Sequence, residues 1–184
     1  MARTKGITLT HARAYAEKTF GTAAWERVLA ACEGDDRAVL GGIVAVGWYD
    51  LGLYARTLRA LDAVLGYGDL TLLDELGRYG AEKDFTTVYR LFFRMGNPIY
   101  AIEKTTDYWR KFHDTGIWSI VREGEGRARG TLRDWGCVDR ALCREMTAYM
   151  SRVLELVGGK DVRLLHPRCR VDGDAECFFT LRWR

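Results

Sequence analysis

The sequence predicts an α+β fold: a helical N-terminal half followed by a hairpin–helix–hairpin unit that builds an antiparallel sheet. Three observations carry this. Apolar residues recur at three- and four-residue steps as far as residue 115. After Gly116 the pattern turns to short β-branched and aromatic runs separated by glycine-containing turns. One long amphipathic segment lies between the two pairs of runs. The chain has 184 residues, 48% of them hydrophobic and 12% aromatic, with only 2 prolines, enough apolar content for a packed core rather than a disordered chain. The reading is a single domain over 1–184, with a helical part at 1–115 and a hairpin part at 116–184.

The elements follow in order. Thr8 or Thr10 caps a first helix that runs to about Cys32, with Ala14, Phe20, Trp25 and Leu29 facing the core. Glycines punctuate the chain to Gly47. Leu51, Tyr54, Ala55, Leu58, Leu61 and Leu65 mark the next helix. Asp69 caps another, carrying Leu72, Leu73, Leu76 and Tyr79, and Tyr89, Phe92 and Phe93 continue the helical pattern to Gly96. Asn97-Pro98 opens a helix through Ile102, Tyr108, Trp109 and Phe112 that ends near Gly116. Strands at 117–122 and 127–133 flank a turn. A helix covers about Cys137 to Val157, stopped by Gly158-Gly159. Strands at 162–168 and 175–184 flank the turn at 171–174.

Charge and motifs exclude several function classes. Net charge is +3, from 28 basic and 25 acidic residues that are interspersed, so no nucleic-acid footprint is present. The most apolar stretch, Leu40 to Leu53, is broken by Gly41, Gly42, Gly47, Asp50 and Gly52, which excludes a membrane span. No secretory leader opens the sequence, so a cytoplasmic location is expected. No GxSxG, P-loop, HExxH or dinucleotide fingerprint appears, and the reading is a non-enzyme. The paired acids Asp35-Asp36 and Asp172/Asp174 sit in turns, where aspartate serves local hydrogen bonding.

Chemistry concentrates at the C-terminal end. His166, Cys169 and Cys177 bracket one hairpin, and Cys143 lies on the helix before it. Thiolates and an imidazole are what a tetrahedral Zn2+ site takes, and such a closed site is structural. Two other readings stand beside it: a Cys169–Cys177 disulfide across the hairpin, or buried thiols with a surface histidine. Cys32 and Cys137 read as isolated thiols.

A second candidate is aromatic. Tyr89, Phe93, Trp109, Phe112 and Trp118, with His113 as a polar contact, fall where the last helices of the first half meet the first strand. Aromatics at helical spacing serve first as core; the alternative is an apolar pocket for a small apolar ligand.

The stretch HPRCRVDGDAECFFTLRW, together with Cys143, resembles the end of the 4-vinyl reductase, or hydrocarbon-binding, domains. These share the NO-signalling/Golgi-transport ligand-binding fold with TRAPP vesicle-tethering subunits. In the phenol-sensing members a helix cysteine, an acidic residue and two hairpin cysteines bind zinc. Their cysteine spacings resemble those of Cys143, Cys169 and Cys177, with His166 at the acidic place. The first half (LGLYARTLRALDAVLG, YWRKFHDTG) resembles a group of myxobacterial proteins that end in this domain. The resemblance implies a TRAPP-like fold, Zn2+ held by Cys143, His166, Cys169 and Cys177, and a homodimer. It implies a non-catalytic sensor of a small apolar or aromatic ligand, with a TRAPP-like adaptor or a reductase as alternatives. The haem-based NO sensors of the same superfamily need a proximal histidine and Tyr-x-Ser-x-Arg. Tyr149-Met150-Ser151-Arg152 misses that motif by one residue, and the haem reading is set aside.

Overall fold

The structure, a computed structural model, describes residues 1–87 and 97–184. The fold is α+β, with seven α-helices and two antiparallel sheets among the described residues. Strand β1 (Arg3–Lys5) leads directly into α1 (Gly6–Phe20), followed by α2 (Ala24–Ala31) and α3 (Gly34–Gly41). Strand β2 (Trp48–Asp50) pairs with β1 and enters α4 (Leu51–Leu65), then α5 (Leu72–Thr87). After α6 (Pro98–Phe112) come β3 (Ile117–Gly124), β4 (Arg127–Arg133), α7 (Arg140–Leu156), β5 (Arg163–Arg168) and β6 (Cys177–Arg182). The larger sheet has the order β3-β4-β6-β5, antiparallel throughout.

Several boundaries differ from the sequence reading, each for a local reason. The first predicted helix is broken after Phe20 because Gly21 takes φ +93°, a left-handed conformation that only glycine adopts at no cost. Thr8 and Thr10 do not cap α1; they lie inside it, and their hydroxyls donate to the Lys5 and Ile7 carbonyls. Phe20, expected in the core, is 39% exposed at the helix end. The pair β1–β2 is only three residues per strand, below what alternation can signal. Helix α7 starts three residues later than predicted, where Asp139 Oδ1 accepts from Ala141 N at 2.8 Å. The Asn97 cap with Pro98 in the first turn stands as read.

Two contacts set the frame around the site. Helix α5 lies against α7 at Gly77, where an added Cβ would sit 2.3 Å from the Glu145 carbonyl oxygen. Only a glycine lets the two backbones come this close. The N-terminal strand is tied to the end of α6, since Arg3 N donates to Asp114 Oδ1 at 2.6 Å and Thr4 bridges His113. Gly116, at φ +88°, turns the chain from α6 into β3 beneath the Trp109 indole. Helix α6 then packs across β3, with Trp118 Nε1 donating to Thr105 Oγ1 at 2.8 Å. No helix among the described residues is long and apolar enough to cross a membrane.

Candidate functional site

Two sites share α7. Cys143 faces the hairpin β5–β6, whereas Glu145, Met146, Tyr149, Met150 and Val153 line a cavity.

The first site is the cluster of Cys143, His166, Cys169 and Cys177, whose candidate ligand atoms lie within 4.8 Å of one another. The three sulfurs form a triangle with edges of 3.7, 3.9 and 4.0 Å, and none is disulfide-bonded. A tetrahedron with metal–sulfur bonds of about 2.3 Å has edges of about 3.8 Å, so the spacing suits one shared ion and excludes the Cys169–Cys177 disulfide of this state. Asp174 Oδ2 accepts from Cys169 N at 2.8 Å and shapes the hairpin tip. The His166 ring stacks on Phe179 at 4.1 Å, and its Nε2 is buried without a hydrogen-bond partner. Hydrogen bonds from Cys143, then His166, draw the Cys177 thiol below its usual range, against the opposing effect of burial. Cys143 is pushed up by its hydrogen bond to Cys177 and by burial.

The second site is a cavity of about 110 Å3 lined by residues of α1, α4, α5, α6 and α7 and by Trp135. Its walls include the aromatic side chains of Tyr54, Trp109, Phe112, Trp135 and Tyr149, and among its polar groups are two acids, Asp84 and Glu145. Asp84 on α5 is 4% exposed; Tyr149 donates its hydroxyl to Asp84 Oδ2 at 2.9 Å, and Oδ1 has no hydrogen-bond partner. Burial raises Asp84 to about 6, against the pull of the Tyr149 hydrogen bond. Glu145 on α7 accepts the Tyr54 hydroxyl, and burial raises it to about 7. His11 Nε2 lies 3.6 Å from Asp84 Oδ1, yet burial and the Lys83 charge lower His11 to about 4, so it stays neutral. His113 is neutral for the same reason, lowered to about 3 by burial. Its ring sits between the Trp109 and Trp135 indoles, with centroids 4.4 and 5.2 Å away, and its Nδ1 has no partner.

The predicted pocket residues divide. Trp109, Phe112 and His113 line the cavity. Trp118 does not: it is buried behind Trp109, stacked on it at 6.2 Å and edge-on to Phe179 at 5.5 Å. Tyr89 and Phe93 lie outside the described residues. The pattern reading missed His11, Tyr54, Asp84 and Glu145. A signal was available in α5, where Leu73, Leu76, Gly80 and Asp84 share one face. A carboxylate on an apolar stripe marks either a buried partner or a cavity. The near-miss segment also separates: Tyr149 faces the cavity, while Arg152 turns outward to Glu82 and Glu155.

No family model and no curated protein matches the sequence. Solved structures do. The chain is similar to an H-NOX protein from S. oneidensis in the Fe(II)NO ligation state, with a TM-score of 0.77 at 11% identity, covering 98% of this chain and 99% of that one. It is similar to the Fe(II) unliganded H-NOX protein from K. algicida, with a TM-score of 0.73 at 15% identity over 98% and 96% of the two chains. An oxygen-binding H-NOX domain related to soluble guanylate cyclases, in its oxygen complex, gives 0.71 at 11% identity over 98% and 95%.

These likenesses overturn the 4-vinyl reductase, TRAPP-like assignment, because they extend over nearly the whole chain and are to H-NOX domains. The zinc-stabilised apolar-ligand sensor and the TRAPP-like adaptor fall with it. So does Zn2+ as the implied cofactor: these neighbours carry Fe(II), and the cluster by itself identifies no ion. The terminal Cys–Gly-Asp–Cys-aromatic pattern misled because it encodes one hairpin and its cysteines, not the helices that define the rest of the fold.

H-NOX domains are haem NO/O2-binding domains, and the cavity here can be tested for that group. The lining does not suit it. Ligand pockets for groups of drug size run to roughly 300–1,000 Å3, well above this cavity. Haem brings two carboxylates of its own, whereas the described lining offers two acids and one lysine, Lys104, already paired with Asp107 at 2.8 Å. The chain has three histidines: His166 belongs to the cysteine cluster, His11 faces Asp84, and the His113 ring is clamped between two indoles. The chain therefore has the H-NOX fold, but the described lining of its cavity does not fit haem.

Proposed function

We propose that this is a sensor domain that binds a small ligand directly in the central cavity, without haem. The observation that carries the reading is the buried Asp84, which lines the cavity and has one carboxylate oxygen without a hydrogen-bond partner. Leaving such a group unsatisfied costs about 1–3 kcal/mol, a cost that a bound ligand removes. The location supports the reading, since fold neighbours with NO or oxygen bound are themselves small-ligand proteins.

The chain's own residues supply the response. Trp109 and Phe112 on α6, Trp135 ahead of α7, and Asp84 on α5 all line the cavity. A ligand between them favours the arrangement in which α6 is closed on α5 and α7, a population shift driven by contacts made only in that state. Because Trp109 and Trp135 line the cavity, their fluorescence reports filling. A screen of small molecules should change that fluorescence saturably, and Gly80→Leu should block the change. Gly80 lines the cavity, and a Cβ there points between His11 and Tyr149, each at 3.6 Å. A water-filled void gives no response to any compound and contradicts the reading.

A second proposal rests on the sulfur triangle: Cys143, His166, Cys169 and Cys177 hold one metal ion that fixes α7 to the β5–β6 hairpin. Metal content of untagged protein, with Cys169→Ser as control, tests it. One ion per chain, absent from the control, supports the site; none in protein prepared without chelator contradicts it.

A further inference from the structure

The cavity's polar groups define which class of ligand it takes. Two carboxyl groups, Asp84 and Glu145, line a space whose walls include aromatic side chains. Each already accepts one phenolic hydrogen bond, from Tyr149 and Tyr54 respectively, which leaves further acceptor capacity on both carboxyl groups. No cation answers them among the described lining residues: His11 and His113 are neutral, and Lys104 is held by Asp107. The tyrosine and tryptophan faces add attraction for a cation once water is excluded. A metal ion is not the complement, because the only group of metal-competent side chains among the described residues is the cysteine cluster. Volume limits the body of the ligand. Benzene occupies an engineered cavity of about 150 Å3, so this one, at about 110 Å3, takes roughly four to six non-hydrogen atoms.

Resting on the small-ligand reading above, we infer that the cavity binds a small protonated amine, its ammonium on Asp84 Oδ1 and Glu145 and its carbon body against Trp109 and Tyr149. The ammonium supplies the hydrogen bonds that Asp84 lacks. The hydrocarbon part replaces cavity with contact, and neither carboxylate is then left buried without a counter-charge.

The test titrates the whole chain at pH 8 with isobutylamine, isobutanol and isobutyrate, which share a carbon skeleton but differ in charge. Binding is read by tryptophan fluorescence and by thermal unfolding. Isobutylamine should bind at least tenfold more tightly than isobutanol, and isobutyrate not measurably. Asp84→Asn should remove that preference, and Glu145→Gln should reduce it; both variants are checked for a cooperative unfolding transition before use. If Asp84→Asn does not fold, Glu145→Gln alone decides. Equal affinity for amine and alcohol, or an amine preference untouched by either variant, overturns the amine assignment and leaves the small-ligand reading standing. No response to these compounds or to the wider screen overturns both.

Discussion

Tyr149 and Asp84 are joined by one 2.9 Å hydrogen bond that satisfies a single oxygen of a carboxylate otherwise surrounded by protein. The bond also locks α7 to α5 beside the cavity, so the residue that positions the acid is itself part of the ligand wall.

That arrangement has a pH signature. Burial raises Asp84 from 3.8 to about 6, so the folded protein holds this proton more tightly than the unfolded chain does. Stability from this group is therefore fully present below about pH 4 and falls as pH rises through 6. Asp84→Asn, which keeps the hydrogen bond from Tyr149, should raise unfolding free energy at pH 8 by roughly 1–3 kcal/mol. The gain should shrink toward zero by pH 4. Denaturant melts of both proteins at the two pH values check this; a constant difference contradicts it.

Two glycines three residues apart in α5 should behave in opposite ways. At Gly77 a Cβ would meet the α7 backbone at 2.3 Å, so Gly77→Ala must push the helices apart and should cost about 1–3 kcal/mol. At Gly80 the nearest atoms are 3.6 Å away, so Gly80→Ala should be neutral or stabilising by up to about 1 kcal/mol from helix propensity. Thermal melts of the two single variants separate these outcomes.

Trp118 and Trp109 stack on each other but should fail differently. Trp118→Phe loses the hydrogen bond to Thr105 and some core packing, so stability should fall while the ligand response persists. Trp109→Phe changes the cavity wall and should alter ligand affinity at least as much as stability. Equal loss of response in both would place Trp118 in the cavity wall after all.

At the cysteine cluster, Cys169→Ser should lower the unfolding temperature and abolish any response of that temperature to chelator. Cys137→Ser, outside the cluster, should leave both unchanged. Calorimetry with and without chelator reads the difference.

Much of the fold was legible because it is written in local patterns. The Asn97-Pro98 start of α6, the two hairpins and the amphipathic α7 all carry signals within a few residues. The ligand spacing of Cys143, His166, Cys169 and Cys177 was legible for the same reason: one helix and one hairpin bring all four together. The cavity was not, because it is assembled from residues 11, 54, 84, 113 and 145 on separate elements. Asp84 falls on the apolar stripe of α5, but only the close approach of α5 and α7 at Gly77 brings it and Glu145 to one cavity. The family assignment failed for the converse reason, as it weighed a short C-terminal motif above the helices that set the architecture.

Under the proposed function, an H-NOX fold here encloses a cavity that takes its ligand without haem. Titrating the purified chain with hemin and recording the Soret band puts this to the sharpest trial. The prediction is no saturable complex at one haem per chain, and no difference between the native sequence and His113→Ala. A stoichiometric complex with a sharp Soret band that His113→Ala abolishes would contradict it.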